Sequence, residues 1–346
     1  MNRVEGLFLG VAGVLDMRRA APGVSVRAFG GWAFSERAPK GGVEAVRVAG
    51  PWVSSLRAER ELASTNDFSQ PLTPPGGNLV GTFFGTEDYD WVDRNVLALS
   101  LTRELSDTHS SSVRVEFAGA NDHGFPHEFD KGIISGDFRP NRPVTEGHYV
   151  RSRAQLDFNR NILTSPLAAG VGATLSYERG DGSINWQRTQ LQAFGQRILG
   201  RFVFAARNDA AIVGGASIPV QQLLEIGGAE GLPGYAYKAF TCDAAITSRG
   251  TIAFVLPVLE GPIHVQRLVL PAIAPQLQVG IFGGRATATR TTTALLDQLN
   301  WKTSDGWKGS FDVRLRFLAG ALSLGASRSF ENQAKWKVAF GLGGTP

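Results

Sequence analysis

Apolar and polar residues alternate with a period of two along much of this chain. That period admits extended strands and excludes helices over the same stretches. Val113, Val115 and Phe117 alternate with Arg114 and Glu116. Val150, Ala154, Leu156 and Phe158 alternate with Arg151, Arg153, Gln155 and Asp157. Val171, Ala173, Leu175 and Tyr177 do the same with Gly172, Thr174 and Ser176, and the pattern returns at 277–281, 311–317 and 336–342. Each segment has one apolar and one polar face. Further strands are expected at Arg3–Gly13, Val24–Trp32, Val43–Ala49, Leu56–Leu62, Asn95–Leu105, Ile133–Phe138, Asn185–Ala193, Arg201–Arg207, Thr251–Leu256 and Ala321–Phe330. That makes about 16, at roughly 20 residues per strand and turn. Asp181-Gly182 and Asp305-Gly306 read as turns between strands, and Thr291–Leu299 as a short helix. No linker, composition break or short repeat interrupts the pattern, so residues 1–346 read as one all-β domain.

Alternation alone leaves two architectures open. In a soluble sandwich or propeller the apolar face is core. In an outer-membrane barrel the apolar face meets lipid and the polar face lines a lumen. Several segments reach the roughly 9–11 residues of a membrane strand, and no apolar run reaches the roughly 18 residues that a membrane helix needs. The 42 glycines exceed the usual roughly 7%. One Cys excludes a disulfide scaffold and a Cys-rich zinc site. The net charge of +4 is spread through the strands, which speaks against nucleic acid as a partner. The seven tryptophans lie mostly near strand ends, as in the aromatic girdles of a barrel. Arginines on the polar faces either form an anion-favouring ring or pair across strands with Asp157, Glu116 and Asp312.

Residues 223–240 have a different texture. Gly227, Gly228, Gly231 and Gly234 permit tight reversal, Pro233 stiffens one position, and Tyr235 and Tyr237 supply anchors. Such a loop can fold back into a lumen. Gly227-Gly228, then Leu232-Pro233-Gly234-Tyr235, then Phe240 and Asp243, then Pro257 at a strand end resemble the conserved loop of the bacterial surface-antigen superfamily. That superfamily holds the BamA- and TamA-type assembly factors and the two-partner secretion transporters. Asn2-Arg3-Val4-Glu5-Gly6 is similar to the opening barrel strand of these proteins, and Lys335–Gly344 stands where their closing strand would be. The resemblance implies a transmembrane antiparallel β-barrel of about 16 strands with loop 223–240 inserted in the lumen. It also implies protein assembly or translocation at the seam between first and last strands.

The family's loop arginine reaches an acidic residue on the inner wall. Here Pro233 occupies that place, and Gln278, in the Gln278-Val279-Gly280 stretch, stands where the acid is expected. Gln278 and Gly280 are therefore the candidate wall contact, and Arg249 and Lys238 are the cations left to substitute. The chain carries no POTRA module and opens without a signal peptide, which reads as the C-terminal part of a longer exported protein.

No catalytic set is expected, nor a cofactor. His123 and His127 have metal-ligand spacing, but Gly124 and Pro126 forbid the helix that would align them, so a polar loop is the reading. The acidic aromatic run from Glu87 to Asp93 reads as a solvated loop or interface rim; its carboxylates could seat a cation, but it lacks the EF-hand spacing. Cys242 has no base beside it in sequence. The expected partners are outer-membrane lipid and client polypeptides or periplasmic modules, in the outer membrane of a Gram-negative-type bacterium. The alternative is a passive membrane anchor or pore belonging to a longer protein with a soluble module. The third is a soluble all-β binding protein.

Overall fold

A strand with one apolar and one polar face must bury one of them, and in this chain the polar face is the buried one. The computed structural model describes all residues except 1, 18–19, 66–67, 69–82, 86–88, 107–109, 126–127, 165–167, 229–230, 260, 262, 266–267, 271–272, 319–321 and 343–346. The first ten strands are β1 (Phe8–Asp16), β2 (Val24–Ala33), β3 (Ala38–Ala49), β4 (Trp52–Ser64), β5 (Trp91–Ser106), β6 (Ser111–His123), β7 (Gly147–Phe158), β8 (Gly170–Gly182), β9 (Asn185–Leu199) and β10 (Phe202–Ser217). A loop bearing β11 (Leu224–Ile226) and β12 (Phe240–Cys242) leads to β13 (Ala244–Val255). A connection bearing the small hairpin β14 (Ile263–Val265) and β15 (Leu268–Leu270) leads to β16 (Gln276–Thr287). Then follow β17 (Lys308–Phe317), β18 (Leu322–Ser329) and β19 (Lys337–Leu342).

Leaving out the β11–β12 and β14–β15 pairs, all strands join one 15-stranded sheet in chain order. Every pairing in it is antiparallel. An odd number of alternating strands makes β1 and β19, the two ends of the sheet, run in the same direction. Successive connections fall on opposite rims. One rim carries the long segments 65–90, 124–146, 218–243 and 288–307; the other carries mostly short turns, such as residues 50–51 and 200–201. Residues 2–7 enter at the long-loop rim.

Burial is inverted relative to a soluble sheet. Phe117 and Val171 are 60% and 67% exposed, while Glu116 and Asp312 are 5% and 1% exposed. Water would leave this arrangement paying twice, whereas lipid outside and a filled lumen inside satisfy both faces. The buried charges are paired. Arg151 and Arg114 reach Glu116 at 2.6 and 2.7 Å, Arg207 reaches Asp209 at 2.8 Å, and Arg188 reaches Glu178 at 3.2 Å. Arg314 pairs with Asp312. The arginines of the polar face thus form a structural network along the sheet.

Four local expectations are corrected. Ile133–Phe138 is no strand: the segment is irregular, with a lone Lys131–Asp137 bridge and Gly136 at φ 84°. That leaves fifteen strands in the sheet among the described residues. Residues 2–6 form a closed turn instead of opening β1. Asn2 and Gly6 exchange backbone hydrogen bonds at 3.1 and 2.9 Å, and the Asn2 side chain accepts from the amides of Val4 and Glu5. Asp181 and Gly182 end β8, so the turn is Ser183-Ile184. Asp305-Gly306 lies in the 288–307 connection, after the helix α2 (Arg290–Gln298), and joins no hairpin. A one-turn helix, α1 (Asn161–Thr164), sits on the short-turn rim. Of the tryptophans, Trp32, Trp52, Trp307 and Trp336 are exposed near strand ends. Trp186 is buried, edge-on to Tyr149 at 6.4 Å. The expected closing strand narrows to β19, and residues 343–344 lie outside the described residues.

Candidate functional site: the folded-in loop and its anchor

The 218–243 connection turns back into the sheet's concave side. Its two arms pair as β11 and β12, with Leu224 opposite Cys242 and Ile226 opposite Phe240. Leu224, Ile226, Leu232, Phe240 and Cys242 are buried against Ala211 and Val213 of β10, Ala245 of β13, and Phe282 and Ala286 of β16. Phe68 joins this cluster from the 65–90 segment. Loop and wall therefore share one apolar core on a face of the sheet that is otherwise polar. Gly228 bridges Leu232 across the tip. Gly227 has φ 131°, and a Cβ there would lie 2.4 Å from the Ala236 carbonyl oxygen. Gly234, next to Pro233, has φ 85° and would place a Cβ 2.5 Å from the Ser329 amide of β18. Only glycine fits either position. The Tyr235 ring lies 5.5 Å from that of Phe240.

A buried polar node ties the loop to the opposite wall. Lys238 Nζ lies 2.6 Å from Asp90 Oδ2 and 3.0 Å from Glu225 Oε2. Asp90 immediately precedes β5 and is fully buried. Its Oδ1 accepts from Arg139 at 2.7 Å, from the Arg142 amide at 3.0 Å and from Arg3 at 3.4 Å. Arg142 grips the loop's base, donating to the carbonyls of Val220 and Leu223 at 3.0 and 2.9 Å and reaching Glu225 at 2.6 Å. Gln221 adds a two-way bond with the Thr145 backbone, each at 2.9 Å. Burial pushes the Asp90 carboxyl up. Lys238, Arg139 and Arg142 outweigh it and hold the group below the usual carboxylate range. Burial opposes the Arg139 charge, and Asp90 reverses that, raising its pKa. Removing one member of such a buried set costs about 3–5 kcal/mol.

The structure brings Gly227, Gly228, Leu232, Pro233, Gly234, Tyr235 and Phe240 together in this loop. Asp243, just past it, accepts from the amide and hydroxyl of Thr289 at 2.9 and 2.7 Å, anchoring the N-cap of α2. Gln278 and Gly280 lie earlier on β16 than the loop's wall contacts Phe282 and Ala286, toward its other end. Gln278 accepts from Arg316 at 3.4 Å, and a Cβ on Gly280 would meet Phe282 and Asp312. Lys238 is the substituting cation; Arg249 lies on wall strand β13. The acid it meets is Asp90, from the run read as a solvated loop; Glu87 and Asp88 of that run lie outside the described residues. His123 ends β6, and His127 also lies outside the described residues. Cys242 is buried, its thiol pushed up by burial, with Leu224 O at 3.7 Å. Asp90, Glu225, Arg142 and Arg3 carried no local signal as loop anchors.

These features define a class: a large antiparallel sheet with an apolar outer face, whose polar face holds one of its own loops through buried ion pairs. Solved structures with a similar fold match the chain almost end to end. BamA from Haemophilus ducreyi, lacking POTRA domains 1-3, superposes with a TM-score of 0.55 at 12% identity, over 96% of this chain and 68% of that one. CdiB from Escherichia coli gives 0.53 at 10% identity, over 98% and 60%, and CdiB from Acinetobacter baumannii 0.51 at 11%, over 96% and 55%. The fold is that of BamA and CdiB outer-membrane barrels, and the chain spans less than two thirds of the CdiB chains. No protein-family profile and no curated protein sequence matches it.

Proposed function

We propose that this chain is an outer-membrane barrel that assembles or translocates polypeptides by binding them, without covalent chemistry. One observation carries this reading: a single carboxylate, Asp90, holds both the folded-in loop, through Lys238, and the turn leading into sheet-end strand β1, through Arg3. Movement of the loop is thereby linked to the sheet end where a client strand would add. A client strand docking on β1 supplies the hydrogen bonds that lipid cannot. Short turns on one rim and long segments on the other match the periplasmic and extracellular rims of bacterial barrels. The exposed apolar faces disfavour the soluble reading.

The test is reconstitution into phospholipid vesicles, followed by addition of a urea-unfolded small outer-membrane barrel protein. Its folding is read by heat-modifiable gel migration. Acceleration over empty vesicles is expected, and a loss of acceleration with Lys238→Met. Folding no faster than in empty vesicles would overturn the reading and leave the passive-anchor alternative.

A further inference from the structure

Beside the node lies a cavity of about 540 Å³, between segment 139–143, the loop and the residues that follow α2. Four cations line it, Arg139, Arg142, Lys238 and Lys302, against one lining carboxylate, Glu225. Asp90 stands behind them and is shared by Arg139, Lys238 and the Arg142 amide. The cations fall into two sets. Arg142 and Lys238 are buried, and they charge the floor. Lys302 is exposed, and one third of the Arg139 side chain is accessible, so these two groups are reachable from outside.

The floor is not saturated. Arg142 Nε is buried and has no hydrogen-bond acceptor among the described residues, while the indole of Trp301 lies 5.1 Å from its guanidinium carbon. No carboxylate pairs with Lys302 among the described residues; its ammonium lies 6.0 Å from the Phe240 ring. The C-terminus of α2 points its dipole against an anion here. Its last carbonyls, however, are taken by the amides of Leu299, Asn300 and Trp301. Asp90 and Glu225 match the two buried cations, so the positive charge in excess of the lining is that of the accessible Arg139 and Lys302. Guanidinium and ammonium groups converging on one hollow are the donor set of a tetrahedral oxyanion, whose several oxygens accept from all of them at once.

We infer that this cavity binds a phosphate-class oxyanion, free or on a larger ligand, through Arg139 and Lys302, with Arg142 and Lys238 supplying the field. The site shares Asp90's partners with the loop anchor but does not require client handling at β1, and it stands whether or not that reading holds. Its occupant competes with Asp90 for Arg139, so its binding reports on the loop anchor.

The experiment is calorimetric titration of the whole chain in zwitterionic nanodiscs with inorganic phosphate, in a chloride background. Saturable binding at about 1 mM or tighter is expected. Lys302→Glu should weaken it at least about tenfold, about 1.4 kcal/mol, and Lys302→Arg should retain it. Lys302 is exposed, so the variants should keep heat-modifiable migration, which confirms folding. A second arm repeats the titration in nanodiscs containing phosphatidic acid. Weaker apparent phosphate binding there supports the site and assigns it to a lipid headgroup; unchanged binding supports it and assigns it to a soluble phosphate. Absence of saturable phosphate binding, or binding that Lys302→Glu leaves intact, overturns the inference.

Discussion

The wall from β5 to β10 and the first strand share one sheet but are held in different ways. In the wall, carboxylates meet guanidiniums across or along strands, as at Arg151–Glu116 and Arg188–Glu178. Each of these strands also has two ladder neighbours. Among its nine residues β1 has a single polar one, Asp16, and within the described residues it pairs only with β2. Its exposed residues include Leu9, Val11, Val14 and Leu15. Beyond its nine-residue ladder with β2, what fixes β1 is the turn ahead of it. Lys40 pairs with Glu5 at 2.9 Å, and Arg3 donates to the Tyr89 carbonyl at 2.5 Å and to Asp90. The wall is stabilised along its length, whereas the first strand is tethered by its end.

The largest effect should come from the tether. Asp90→Ala leaves Lys238, Arg139 and Arg3 without their shared carboxylate, at a cost of about 3–5 kcal/mol by thermal unfolding in detergent. The loss should not add to that of Lys238→Met, because both remove one interaction. Additive losses in the double variant would mean that Lys238 is not tied through Asp90.

Acid makes the same cut without mutation. The Asp90 pKa is depressed in the fold, so its contribution is complete above its unfolded value of about 3.9 and is lost as pH falls below that. A cysteine introduced at Tyr235 and labelled with a pyridyl disulfide, its rate divided by that of a free thiol at the same pH, should become progressively more accessible as pH falls below about 4. In Asp90→Asn it should label fast throughout. Equal rates in both proteins above pH 5 would break the assignment of Asp90 as the anchor.

The contrast between wall and tether also explains what the sequence disclosed. Alternation is local, so β6, β7, β8 and β17 were legible from a few residues each. Ile133–Phe138 misled because its apolar residues mimic a strand, while Gly136 at positive φ and the Ile134 bond to the Phe83 carbonyl impose another path. The loop was legible because glycine has a conformational reason at Gly227 and Gly234. Its anchor was not, because Lys238 and Asp90 stand 148 residues apart and meet through topology alone. An acidic aromatic run looks the same in sequence whether water or a buried ammonium neutralises it.

Smaller losses are expected in the wall. Arg151→Gln removes one of two guanidiniums on Glu116, the other being Arg114. The cost should be about 1.5–3 kcal/mol, the range for a hydrogen bond to a charged group. Client handling should persist, because this pair touches neither the loop nor β1. A variant that folds normally but no longer accelerates client folding would show that wall and tether are not independent.

The smallest effects belong to β1 and its neighbour, and there they should differ in sign. A Cβ on Gly13 meets nothing within 4 Å, and the residue has no positive φ. Gly13→Ala should therefore stabilise by about 0.5–1 kcal/mol through reduced chain entropy. Gly31 pairs with Gly10 across the β1–β2 ladder, and a Cβ there would lie 2.4 Å from the Leu9 carbonyl oxygen and 2.7 Å from Gly10 Cα. Gly31→Ala should destabilise, because backbone must move. Thermal unfolding of the two variants decides the matter. If both shift the same way, β1 does not sit against β2 in this register, and the tether through Arg3 has lost the strand it is meant to position.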